Sequence, residues 1–203
     1  KLFAEHGIAP VSVRMITAEA GVNLAAVHYH FGSKDALIQA VWERRVAPMN
    51  RERLKMLEAA EAEAGAVPPP LEKIFEATIC PYLRMVLDPE RGELVMRLFG
   101  RIFSEPGLRS IIAKAYTELI QRFAEATRRA LPDLPAEELC WRIHFAIGAI
   151  DSIGGPDRLR AISAALCCDP FGNEEEILRR MISFVVAGMK APLPAEHPVG
   201  NPS

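Results

Sequence analysis

The stretch GVNLAAVHYHFGSK, Gly21 to Lys34, decides how the rest of the chain is read. Asn23 and Ser33 stand where two helices begin, and Gly21 and Gly32 stand where two helices stop. Between them lies LAAVHYHF, about two helical turns. Upstream, LFAEH is stopped by Gly7, and Ser12 precedes VRMITAEA, which runs up to Gly21. A serine in that place accepts a hydrogen bond from a free amide of the first turn. Downstream, Ser33 precedes KDALIQAVWERR, with Asp35 in the first turn where a carboxylate suits the helix dipole.

Two short helices joined by the turn Gly21-Val22-Asn23 form a helix-turn-helix. Its apolar requirements are present: Val13, Ile16 and Ala20 share a face of the first helix, and Val22, Val27 and Phe31 are expected to meet them. Ala25 and Ala26 let the second helix approach base edges closely, and an alanine methyl can touch a thymine methyl. His28 and His30 invite a metal reading, but helical residues two apart point roughly 200° from each other. They cannot clasp one ion. No nucleophile or paired carboxylate lies at a useful helical spacing beside Tyr29, whose competing reading is core packing.

The order Ser12-Val13-Arg14-Met15-Ile16-Thr17, Ala20-Gly21-Val22, then Val27 through Leu37, resembles the DNA-binding domain of the TetR family of transcriptional regulators. The likeness spans roughly 45 residues, including the LFAEHG lead-in and the YHF-x-x-K ending. It implies an all-α fold: an N-terminal three-helix reader followed by a larger helical ligand-binding and dimerisation domain. It also implies contacts with double-stranded operator DNA by Ser12, Arg14, Asn23, Ala25, Ala26, His28, Tyr29, His30 and Lys34, with Ser12 and Lys34 on phosphate. His28 departs from the tyrosine usual at its position, which points to an altered operator preference. The wording VNLAAVHYHFGSK is further similar to a fatty-acid-responsive subgroup, suggesting a fatty acid or acyl-coenzyme A as effector.

The remainder is helical in pattern and punctuated by breakers. The helix after Ser33 should reach about residue 64, kinked at Pro48, before VPPP ends it. Further helices are expected near 71–87, 92–104, 108–130, 136–154, 157–166 and 174–190. This divides the chain into a reader (1–46), a ligand-binding and dimerisation domain (47–190) and a mobile proline-rich tail (191–203). Pro48 is the expected place where movement passes between the first two, and Trp42 is expected to pack where they meet. The chain begins at Lys1 within a helical pattern, so a short preceding piece is expected.

The net charge of −2 supplies no whole-chain signature of nucleic-acid binding, which does not exclude it, because only the contacting face need be positive. Residues 1–47 carry five Lys or Arg (1, 14, 34, 44, 45) against four Asp or Glu (5, 19, 35, 43). Cys80, Cys140, Cys167 and Cys168 show no C-x-x-C spacing and read as reduced thiols of a cytoplasmic protein. A redox role for Cys167-Cys168 is disfavoured by Asp169 beside it. No signal peptide or membrane-spanning run is visible.

In the larger part, FEATICPYLRMVL, ELVMRLFGRIF and CWRIHFAIGAI carry more apolar residues than one helix face needs, which suits a pocket, a partner or both. Phe75, Ile79, Tyr82, Phe99, Phe103, Tyr116 and Phe145 are the candidate ligand-binding residues, with Met85 and Met96 as adaptable fillers. Arg101 and His144 are the candidate polar partners of an effector's head group. Helices 136–154 and 174–190 form the expected homodimer pair, the latter through Ile177, Met181, Phe184, Val185 and Gly188. A twofold dimer would read a near-palindromic operator. The leading expectation is thus a ligand-released repressor, not an enzyme, needing no cofactor or metal and no membrane. A helical interaction protein without specific DNA binding is the competing reading, and a small helical enzyme is weaker, since no nucleotide loop, nucleophile motif or metal spacing is present.

Overall fold

The computed structural model describes residues 1–154, 162–166 and 173–194, with backbone alone at 106 and 109–115. All regular structure among these residues is helical. The N-terminal helices are α1 (Leu2–His6), α2 (Val13–Ala20) and α3 (Leu24–Phe31), followed by the 31-residue α4 (Lys34–Ala64). Three side-chain caps set their boundaries. Ser12 Oγ accepts from the Met15 amide at 3.2 Å, Asn23 Oδ1 from Ala25 at 2.8 Å, and Ser33 Oγ from Ala36 at 3.1 Å. Gly21 closes α2 in the left-handed region, φ 65°, which bends the chain sharply into α3. The larger domain continues as α5 (Leu71–Val86), α6 (Gly92–Ser104), α7 (Pro106–Ala130), α8 (Ala136–Asp151), a 3-10 turn (Ser152–Gly154) and α9 (Glu174–Met189).

The expected helices therefore stand, with small shifts. Pro48 removes one amide from the hydrogen-bond ladder, yet α4 runs unbroken through it. The helix expected to reach residue 154 ends as an α-helix at Asp151 and tightens into the 3-10 turn. Residues 162–165 are helical within the helix expected at 157–166, whose first half lies outside the described residues, as do the Cys167-Cys168 pair and residues 195–203 of the tail.

α5 is the hub. It buries Leu71, Ile74, Phe75, Ala77, Ile79, Cys80, Pro81, Tyr82 and Leu83, and it packs against α4, α6, α7 and α9. Gly92 opens α6 so close to the end of α5 that a β-carbon there would meet the Val86 carbonyl oxygen, which makes glycine obligatory for that crossing. Two arginines of α7, Arg122 and Arg129, both donate to Glu61 and tie the end of α4 to α7. Arg142 of α8 is buried; it pairs with Glu138 at 2.7 Å and donates to the carbonyls of Met189 and Ala191, each at 2.7 Å. Those carbonyls are left free where α9 ends, so Arg142 serves as its C-terminal cap from a neighbouring helix.

The reader is attached to this body in two ways: α4 is shared, and α1 packs on α6. Its own interior is smaller than the sequence suggested. Phe3, Ala4, Ile8 and Val11 are buried, together with Thr17, whose hydroxyl donates to the Arg14 carbonyl at 2.9 Å. Phe31 and Val22, expected inside, are 37% and 49% exposed, and Ala20 is exposed as well. The eight-residue α3 packs chiefly on α2 and α4, which leaves its ends thinly covered.

Candidate DNA interface and ligand cavity

α3 buries no residue at all. Leu24 and Val27 are half-buried against the rest of the reader, three positions apart and so on one face. The rest of the helix surface carries Ala25, Ala26, His28, Tyr29 and His30, every one exposed. Tyr29 is 87% exposed, so the core-packing reading of that ring is excluded. It meets His30 edge-on, with ring centroids 5.4 Å apart. Asn23 begins α3 as its N-cap, and Ser12 and Arg14 are exposed at the start of α2. Eight of the nine sequence-selected DNA residues thus reach solvent freely.

Lys34 is the exception. Its ammonium turns inward, donating to the Ile8 and Ala9 carbonyls and lying 6.0 Å from the centre of the Phe3 ring. An ammonium has three donors, so one is left for a phosphate while two hold the loop between α1 and α2. The residue chosen for phosphate binding is in the free protein a brace of the reader.

Inside the larger domain lies a cavity of ≈ 750 Å³ bounded by α4 to α8 and the 3-10 turn. Phe75, Tyr82, Phe99, Phe103 and Tyr116 line it as expected, and so does Met96. Three choices fail. Ile79 is fully buried in the core beside the cavity and does not reach it. Arg101 sits on the outer, exposed side of α6, because Phe99 and Ile102 already occupy the inward side of that turn. His144 and Phe145 are exposed on the outer face of α8, whose inward positions are Ile143, Ala146, Ile147 and Ile150. Of the two methionines, Met85 does not line the cavity.

The cavity's charged residues are ones the sequence reading missed, Arg53 and Asp151. Arg53 is 7% exposed; its Nε donates to the Thr78 carbonyl at 2.8 Å, and its guanidinium lies 5.8 Å from the centre of the Tyr82 ring. A signal was available. Val46, Met49, Arg53, Leu57 and Ala60 recur at three- and four-residue steps, so Arg53 fills a place in the buried stripe of α4. Asp151 likewise follows Ala146 and Ile150 at the inner end of α8.

The four polar groups at this end influence one another. Burial lowers the Arg53 pKa, while the nearby tyrosines and Asp151 oppose that. Burial pushes the Asp151 carboxyl up, with Arg53 pulling it back. Tyr82 and Tyr116 are also pushed up, first by burial. The Tyr82 hydroxyl has no hydrogen-bond partner and ends against Gly154, where a β-carbon would strike it. Trp42 of α4 packs on the far side of the same wall, 4.5 Å from Phe99 and 5.9 Å from both Phe103 and Tyr116, ring centre to ring centre. Its expected place at the junction of reader and larger domain is thereby met.

The outward faces of α8 and α9 are apolar. Trp141, Phe145 and Phe184 are exposed large side chains there, beside exposed Gly148 and Gly188. Val185, expected on the partner-facing side, is 3% exposed within the core, and Ile177 and Met181 pack against that core too. No described helix is long and apolar enough to cross a membrane, and no three His, Cys, Asp or Glu among the described residues are placed to hold a metal ion.

Residues 1–41 match the bacterial regulatory proteins of the tetR family, and residues 76–188 match the tetracyclin repressor-like C-terminal domain. Among solved structures, a transcriptional regulator from Saccharomonospora viridis in complex with choline is similar in fold: TM-score 0.57 at 18% identity, over 91% of this chain and 90% of that one. No curated protein matches.

Proposed function

Because the chain belongs to the TetR family of transcriptional regulators, we propose that it is a repressor released from a near-palindromic operator by a small molecule held in the α4–α8 cavity. The observation that carries this reading is α3: a capped helix with no buried residue that offers a small-residue face of Ala25 and Ala26, flanked by His28, Tyr29 and His30. Among the described residues, none buries that face. In the major groove, Ala25, Ala26 and His28 would meet base edges, and Ser12, Arg14, Asn23, Tyr29, His30 and the spare donor of Lys34 would meet the backbone.

The same reading makes the molecule a homodimer through α8 and α9, whose exposed Trp141, Phe145 and Phe184 form an apolar surface of the kind a twofold partner covers. Two readers then fall at a fixed spacing. An effector changes that spacing only by binding the two states unequally. Trp42 favours itself over Pro48 as the transmitter, since it touches three rings of the cavity wall and belongs to the helix that begins directly after α3. The effector has an apolar body, with a fatty acid or acyl-coenzyme A as candidates. The choline of the Saccharomonospora viridis structure supports a second reading, an organic cation held by aromatic rings and Asp151.

Binding to the DNA upstream of the chain's own coding sequence, measured with salt varied, tests the proposal. Sequence-specific affinity with a steep salt dependence is expected. Equal affinity for random DNA at every salt concentration would instead favour a helical interaction protein.

A further inference from the structure

We infer that the polar end of the cavity is a subsite for a single carboxylate, carried by an amphipathic monoanion, and that Arg53 selects it. The inference rests on the regulator reading only in treating this cavity as the effector site. Arg53 is buried and fixed. Its Nε donates to the Thr78 carbonyl at 2.8 Å and its Nη1 lies 3.5 Å from Asn50 Oδ1, so the groups that orient it are neutral. No carboxylate among the described residues lies within ion-pairing distance of it, Asp151 attracting it only from farther off, and a buried charge without a direct counter-ion is costly. A ligand carboxylate supplies that counter-ion in the planar geometry a guanidinium favours. Because Arg53 is held before the ligand arrives, little side-chain freedom is lost on binding.

The neighbours agree. Tyr82 is 4% exposed and its hydroxyl lacks any partner, so it is a donor in waiting for an acceptor at this end. Asp151 opposes a second negative charge. Arg53 is the one guanidinium among the described lining residues, so the phosphates of a coenzyme A ester would find too few cations here. The rest of the lining is apolar, with Leu119, Phe123 and Ile143 between α7 and α8 to take the body of the ligand. A cation is drawn by Asp151 and the rings but repelled by Arg53. Asp151 keeps more contact with water than Arg53, and the burial it does have pushes its carboxyl toward the neutral form, whereas a guanidinium stays charged. The buried charge decides the sign.

Calorimetric titration of the full chain with octanoate, 4-phenylbutyrate, 1-octanol, octyltrimethylammonium and octanoyl-coenzyme A tests this. A carboxylate should bind about tenfold or more tighter than the alcohol, the cation and the thioester, the worth of a charge-assisted hydrogen bond. Arg53→Met should abolish the preference for acid over alcohol, and Asp151→Asn should tighten octanoate severalfold. If Arg53→Met does not fold, the head-group series on the native chain and the Asp151→Asn variant still decide. A cation that binds as tightly as the acids, a panel in which neither acid binds, or a folded Arg53→Met chain that keeps the preference would overturn the inference. Tight acid binding by a chain that ignores DNA would sink the regulator reading and leave the subsite standing; operator release by the cation alone would do the reverse.

Discussion

α3 and α5 are both amphipathic on paper and are used in opposite ways. α5 buries nine of its sixteen residues, while α3 buries none of its eight. Each large apolar side chain fully buried contributes roughly 1.5–3 kcal/mol, so α5 is held by its flank. α3 has no such income and is held by its ends: Asn23 caps its start, Gly32 closes it, and Ser33 starts the next helix at once. A helix whose outer face must remain free for a partner gives up core contacts and relies on capping. The corollary is dynamic: α3 should open locally at a fraction of the free energy that unfolds α5.

Trp42 ties the reader's side of α4 to the rings of the cavity wall on α6 and α7, so removing it is the strongest way to break the contrast. It is 3% exposed and stacks against the ring cluster of the cavity wall. Trp42→Ala should cost about 3–5 kcal/mol, the range for deleting a large buried aromatic, measured by urea unfolding. A loss below about 1 kcal/mol, the scale of an ordinary surface change, would show that reader and cavity are not mechanically joined there. The next effect is smaller and local. Asn23→Ala removes the cap and should cost about 1 kcal/mol, raising amide exchange in α3 while the α5 amides keep their protection. Equal acceleration in both helices would mean that α3 is part of the global unit and the contrast is false.

The same contrast explains what could be read from the sequence. The reader was legible because its signals are local: Ser12, Asn23 and Ser33 each bond an amide two or three residues away, and Gly21 turns the chain by its own backbone freedom. The helices of the larger domain were legible for the same reason. The cavity was legible in its aromatics but not in its charges. Arg101 and His144 were chosen because they interrupt apolar runs, yet a helix turns every run past several faces, and theirs point outward. Arg53 is hidden because RERLKMLEAA looks polar as a string, although its place in the Val46–Met49–Leu57–Ala60 stripe marks it as inward. Phe31 and Val22 fail differently: their faces were assigned correctly, but no element arrives to cover them.

Glu61 sharpens the comparison on the body's side. Hydrogen bonding from Arg122 foremost, then attraction to Arg122 and Arg129, holds its carboxyl below the ordinary carboxylate range, against some desolvation. A lowered acid contributes stability above its unfolded pKa and loses it as pH falls through the folded one. The α4–α7 tie should therefore be intact at neutral pH and weaken in acid below about 4.5. Glu61→Gln should cost about 1 kcal/mol or less, since its partners are partly exposed, and should flatten the acid limb of a stability–pH curve. An unchanged acid limb would mean that other carboxylates control it.

The smallest stability effect carries the largest functional weight. Tyr29 is 87% exposed and, among the aromatic rings of the described residues, meets His30 alone. Tyr29→Ala should shift unfolding by no more than about 0.5 kcal/mol, as surface substitutions do. His28→Tyr should be equally silent, since His28 is exposed and α3 has no core to disturb. On operator DNA the two should part company. If the proposed docking holds, losing Tyr29 should remove a backbone contact and weaken all sequences alike, whereas a phenol in place of the His28 imidazole should change which base is preferred, by roughly 1–3 kcal/mol per readout. Competition between the native operator and single-base variants separates these outcomes. If Tyr29→Ala instead destabilised the fold by more than about 1 kcal/mol, well beyond the surface range, its ring would be holding α3 in place, and the helix would no longer be one anchored only at its ends.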